Sequence, residues 1–168
     1  MKVDEEGYLS DVQFISSPNC DNRPPGNEIS LLVIHNISMP PDVFEGDGVI
    51  DLFTNQLNPN ASYYEIIRDL RVSAHFFVRR SGEIIQFVPC GKRAWHAGKS
   101  CWKEQECCND FSIGVEMEGS DTTPFIDSQY TALVALTMEL KKVYPIEDII
   151  GHSDIAPNRK TDPGPYFD

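Results

Sequence analysis

His35, His152 and Asp162 are distant in the chain but share a setting. His35 closes the apolar run LLVIH, His152 follows the apolar IIG of IIGHSDIAP, and Asp162 lies in the segment RKTDPGP. Proteins of the α/β class place the side chains that do their chemistry at strand ends and in the loops that follow. Two imidazoles and one carboxylate leave the fourth position of a tetrahedral Zn²⁺ open, as catalytic rather than structural zinc sites do. A cation held this way acidifies a bound water and polarises a carbonyl oxygen, which is the chemistry of amide hydrolysis. A histidine at a strand end is equally an ordinary hydrogen-bonding residue. The rest of the sequence must therefore discriminate.

Hydrolysis needs a proton acceptor that is not itself a ligand. The run FSIGVEME alternates, with Phe111, Ile113, Val115 and Met117 on one face and Ser112, Gly114, Glu116 and Glu118 on the other. Glu116 is the candidate base, Glu118 is its rival, and a solvated strand face is the plain alternative for both. Lys160 stands two residues before Asp162, so in an extended segment both side chains point the same way and a cation faces the developing oxyanion. Trp95 and His96, together with Arg71, could line a cleft that holds a sugar and a carboxylate. His75, alternating with Phe76 inside an apolar run, reads as a core histidine.

The elements that must position these residues follow from periodicity. Residues 1–30 are polar and broken by Pro18, Pro24, Pro25 and Gly26, which predicts an irregular arm. Leu31–Ile34 form a short buried strand. After a Pro/Gly loop, GVIDLFTNQL is a short helix. VSAHFFVRRSGEIIQFVP predicts a hairpin, Val72–Arg79 and Glu83–Val88, turning at Ser81-Gly82 and lying beside the first strand. RAWHAGKSCWKEQECCND is read as irregular. From Asp127, as N-cap, a helix runs to Pro145 with Tyr130, Leu133, Val134, Thr137, Leu140 and Tyr144 on its apolar stripe. A last strand near Glu147–Ile150 delivers His152, and the remainder is read as loop. The sum is one α/β domain over residues 1–168, without repeats or linkers.

Composition narrows the function further. The 168 residues carry a formal net charge of −12, which argues against nucleic-acid binding, since that requires clustered Lys and Arg. Five cysteines form no CxxC pair and give no disulfide framework, the acidic N-terminus lacks the apolar stretch of a secretion signal, and no run is long enough to span a membrane. These features predict a cytoplasmic protein with a small-molecule substrate and no membrane partner.

The ordered series LLVIHNIS, LFTNQLNPN, RVSAH, RRSGEIIQFVP, KRAWHAG, CNDFSIGVEMEG, IIGHSDIAP and RKTDPGP resembles the cytoplasmic 1,6-anhydro-N-acetylmuramyl-L-alanine amidases. These belong to the wider type 2 N-acetylmuramoyl-L-alanine amidase and peptidoglycan recognition protein family. The resemblance implies a central mixed β-sheet flanked by helices, zinc held by His35, His152 and Asp162, a catalytic Glu116 and an oxyanion-stabilising Lys160. It offers Asn36, Arg71, Trp95 and His96 as substrate contacts. The implied reaction cleaves the amide between anhydro-N-acetylmuramic acid and the L-alanine of muropeptides during peptidoglycan recycling. The alternative is a peptidoglycan-fragment binding module of the same fold that has lost catalysis, against which the complete ligand set argues. The chain stops at Asp168 where relatives continue, from which a looser hold on the Asp162 loop is expected.

Overall fold

The computed structural model describes residues 1–168. Its centre is a six-stranded mixed sheet built from β1 (Gln13–Phe14), β3 (Leu31–Ile37), β4 (Phe76–Val78), β5 (Ile84–Gln86), β9 (Ser112–Glu118) and β10 (Asp148–Gly151). The strand order is β1-β5-β4-β9-β3-β10. β4 and β5 are antiparallel, and the β1–β5, β4–β9, β9–β3 and β3–β10 pairs are parallel. The predicted hairpin is present, but its strand β4 pairs with β9, and β9 separates it from the first strand. A short apolar run names a buried strand without naming its neighbour.

The outward face of the sheet carries Leu32, Ile34, Phe76, Val78, Ile113, Val115 and Met117 against α2 (Asp127–Val143). Asp127 is the first helical residue, and Ile126 takes the cap position, where its backbone N–H donates to the Gln129 side chain at 3.3 Å. The buried side chains of α2 are Gln129, Leu133, Leu136 and Leu140, while Val134 is exposed. The expected stripe is therefore rotated, because Gln129 points inward and donates to the carbonyls of Glu118 and Val78. Those carbonyls lie at the ends of β4 and β9, so the amide ties the helix to both strands.

The inward face carries Leu31, Val33, Phe77 and Ile85, covered by α1 (Gly48–Phe53), by α3 (His152–Ile155) and by small β elements. Two segments read as irregular supply those elements. The N-terminal arm contributes β1 and β2 (Cys20–Asn22), and the 92–110 stretch contributes β6 (Lys92–Ala94), β7 (Cys101–Trp102) and β8 (Gln105–Glu106). β2 pairs with β6, and β7 with β8, so these two- and three-residue strands are defined by their partners rather than by any local pattern. α3, also read as loop, occupies one turn directly after β10. All five cysteines are free. No helix is long and apolar enough to cross a membrane.

Candidate metal centre

β3, β9 and β10 run parallel, so their carboxyl ends open on one side of the sheet, where α/β folds form their clefts. His35 continues the inward Leu31–Val33 face of β3 and is 1% exposed. Glu116 is its register partner on β9. His152 is the first residue of α3, immediately past the end of β10, and Asp162 comes from the loop after α3. Together they line a cleft of about 440 Å³, a size suited to a small ligand.

The three donor atoms converge. His35 Nδ1 lies 2.9 Å from His152 Nδ1, and Asp162 Oδ2 lies 3.0 Å from each. His152 Nε2–H donates to the Ala97 carbonyl at 3.1 Å, which leaves its Nδ1 lone pair directed at the centre. Tetrahedral coordination with bonds of about 2.0–2.1 Å sets donors about 3.3 Å apart, so opening the triangle by a few tenths of an ångström seats an ion. A carboxylate and two imidazoles suit zinc chemically, and these three residues are the one His/Cys/Asp/Glu group in the molecule whose ligand atoms lie within 4.8 Å of one another. Burial pulls His35 down to about 4, so it stays neutral and able to coordinate near neutral pH. Burial works to raise the Asp162 carboxyl, but the His152 and His35 rings that its Oδ2 meets at 3.0 Å outweigh it and hold that group below the usual carboxylate range.

The loop that presents Asp162 is fastened at several points. Ser153 N–H donates to the Asp162 carbonyl at 2.9 Å. The Asn36 amide donates to the Pro163 carbonyl at 3.0 Å and to the Asp121 carboxylate at 2.7 Å. Gly151 lies against Pro163, where a Cβ would come within 2.6 Å of the ring. Asn36, offered by the resemblance as a substrate contact, thus has its amide N–H groups engaged with the Asp162 loop.

Glu116 is partly exposed to the cleft, yet its Oε2 is buried without a hydrogen-bond partner. Burial, then the nearby Asp162 charge, push its carboxyl well above the ordinary value, and Lys160 partly offsets them. Glu118 differs. It is 4% exposed, and its two oxygens accept the backbone N–H groups of Glu45 and Arg80, each at 2.8 Å, so it braces two loops rather than facing the cleft. Alternation placed both glutamates on one face, and only the loops covering the strand end distinguish them.

Lys160 lines the cleft and is exposed. Arg71 is exposed between Leu70 and Val72, two residues of the cleft wall, with its guanidinium on the carbonyls of Arg68 and Leu70. Trp95 is not among the lining residues, and its indole is directed at the Asp21 carboxylate. His96 is buried behind His35, its Nδ1 2.9 Å from His35 Nε2. His75 is a satisfied core residue whose Nδ1 accepts Gly114 N–H and whose Nε2 faces the Lys92 carbonyl. Arg159 carries no signal in the sequence beyond its charge, yet its guanidinium donates to the carbonyls of Ala97 and Lys99, sharing the first with His152. A larger hollow of about 580 Å³, between β1, the turn at Gly82 and α2, contains no histidine, cysteine or convergent donor set.

Residues 25–165 match the N-acetylmuramoyl-L-alanine amidase family. The 1,6-anhydro-N-acetylmuramyl-L-alanine amidase AmpD of Enterobacter cloacae is 52% identical over 167 residues, covering 98% of this chain and 89% of that protein. A crystal structure of a selenomethionine AmpD derivative superposes with a TM-score of 0.96 at 52% identity, covering 100% of this chain and 95% of that one. A complex of the N-acetylmuramyl-L-alanine amidase AmiD from E. coli with the substrate anhydro-N-acetylmuramic acid-L-Ala-D-γ-Glu-L-Lys is similar over 99% of this chain and 62% of that one. Its TM-score is 0.61 at 29% identity.

Proposed function

The chain belongs to the N-acetylmuramoyl-L-alanine amidase family and is an enzyme of that class. We propose that His35, His152 and Asp162 hold zinc, and that the substrate is a muropeptide cleaved between anhydro-N-acetylmuramic acid and L-alanine. The convergence of the three donors in a cleft that also contains Glu116 and Lys160 carries this reading. Relatives at about half identity bear the name of that activity. The bound ion would polarise the scissile carbonyl and acidify the attacking water.

The chain's own residues supply the rest. Glu116 accepts the proton of the attacking water on its carboxylate and returns it to the leaving amine. A carboxyl with raised proton affinity suits both transfers. Lys160 lines the same cleft and is the cation that would face the oxyanion of the tetrahedral intermediate, while the Arg159 guanidinium is committed to the carbonyls of Ala97 and Lys99. Arg71, exposed beside Leu70 and Val72 of the cleft wall, would meet a carboxylate of the stem peptide. Asn36 retains its side-chain oxygen as an acceptor for substrate while its amide steadies the Asp162 loop. By the resemblance, the setting is cytoplasmic recycling of wall fragments.

The test is mass spectrometry of anhydro-muramyl tripeptide incubated with the purified protein, with and without a chelator. Release of free tripeptide that stops with chelator and returns with added Zn²⁺ is expected. Intact substrate after incubation with zinc-loaded protein would replace this reading with a binding module.

A further inference from the structure

His96 lies at the back of the metal centre, and its surroundings define its hydrogen bonding. Its Nδ1 is 2.9 Å from His35 Nε2, and its Nε2 is 3.2 Å from Ser112 Oγ. The two rings are edge to face, with centroids 5.0 Å apart. The sheet makes room for the His96 ring at Gly114, where a Cβ would come within 2.5 Å of the imidazole. Two proton arrangements are open to this chain of atoms. In one, His96 Nδ1–H donates to His35 Nε2, which forces the proton of a neutral His35 onto Nδ1 and removes its lone pair from the centre. In the other, His35 Nε2–H donates to His96 Nδ1, His96 Nε2–H donates to Ser112 Oγ, and His35 Nδ1 is free to coordinate.

The second arrangement is the one compatible with a cation beside His35 Nδ1. It also reproduces what the Ala97 carbonyl does for His152. We propose that His96, supported by Ser112, is a positioning residue of the metal centre: it accepts the His35 Nε2 proton and so fixes the tautomer and ring orientation of that ligand. This inference rests on the metal-site reading above. It assigns His96 to the support of a ligand rather than to substrate: the ring reaches the cleft wall but is 8% exposed, and both its nitrogens are engaged, with His35 and with Ser112. Partners of this kind typically govern metal affinity by 10- to 100-fold, a magnitude of the order expected here.

Zinc dissociation constants measured by chelator competition on the full chain decide the matter. His96→Phe, which keeps a planar ring and removes the acceptor, should weaken zinc binding by about 10- to 100-fold. His96→Asn, whose side-chain oxygen stands close to where Nδ1 stood, should recover most of that loss. An exchange-protected His35 Nε2–H in the ¹H–¹⁵N spectrum of the zinc-loaded protein should be present in wild type and His96→Asn and absent in His96→Phe. Wild-type affinity in a folded His96→Phe variant overturns the proposal, and so does a His96→Asn variant that binds no better than His96→Phe. If His96→Phe fails to fold, Ser112→Ala decides instead. It should weaken zinc binding, and an unchanged constant overturns the proposal. Failure of wild-type protein to bind zinc would instead remove the metal reading on which this one stands.

Discussion

Replacing Glu116 by glutamine keeps the shape of the side chain and removes its charge and its basicity, so catalysis and stability should move in opposite directions. A general base contributes about 10²- to 10⁴-fold. At 1.36 kcal/mol per factor of ten, kcat should therefore fall by the equivalent of about 2.7–5.5 kcal/mol. Zinc stoichiometry should not change, because Glu116 is outside the three-donor cluster.

Stability follows from burial. Glu116 Oε2 has no partner, and burial followed by the Asp162 charge raises the carboxyl above its ordinary value of 4.5. A folded value above the unfolded one means that the folded state holds the proton more tightly. Ionised Glu116 therefore costs stability as pH rises from 4.5, by about 1.4 kcal/mol for each pH unit until the folded value is reached. Glutamine removes that cost. In metal-free protein the variant should therefore be the more stable at pH 7, with the higher Tm, because the amide has no charge to bury. The difference should shrink as pH approaches 4.5. The assays are thermal unfolding of metal-free protein between pH 5 and 7.5, and turnover of anhydro-muramyl tripeptide by the zinc-loaded enzyme. Retention of more than about a tenth of kcat would refute the base assignment, since even the weakest general base is worth more. A lower Tm at neutral pH would refute the account of Glu116 as a buried carboxylate without a partner.

Lys160→Ala should lower kcat by about 10²- to 10³-fold with metal content unchanged, as loss of one oxyanion donor does. Equal turnover by metal analysis-matched samples would return Lys160 to the surface. Asp162→Ala should lose zinc as well as activity, and a zinc titration indistinguishable from wild type would exclude Asp162 as a ligand. Burial holds His35 at about 4, His75 at about 3 and His96 well below 6.5, so all three stay neutral in the folded chain while the unfolded chain protonates them. Their contribution is fully present above pH 6.5 and is lost as pH falls. Glu116 acts in the opposite sense by one proton between its raised value and 4.5. Three histidines outweigh one glutamate, so metal-free protein should lose stability as pH falls from 6.5 towards 5, and a flat profile by calorimetry would contradict the burial of these rings.

What could be read along the chain was what depends on near neighbours. Donor types, strand ends and the alternation of β9 are properties of a few consecutive residues, so His35, His152, Asp162 and the Glu116/Glu118 pair stood out before any fold was known. The hairpin 72–88 and the long helix from Asp127 were legible for the same reason. What the amino-acid order did not determine were relations between segments. β9 lies between the hairpin and β3 because pairing rewards total burial across the sheet, not adjacency in the chain. α2 turns Val134 outward while Gln129 points inward, its amide donating to the carbonyls of Val78 and Glu118, which come from two other segments. Glu118 is committed to two loop N–H groups that arrive from residues 45 and 80, while Glu116, two residues away, keeps a buried oxygen free of any partner. Trp95 and His96 are adjacent in sequence yet face Asp21 and His35, on opposite sides of their strand extension. A side chain's chemistry is carried by its type, but its role depends on which distant groups reach it, and those contacts exist only once the chain has folded.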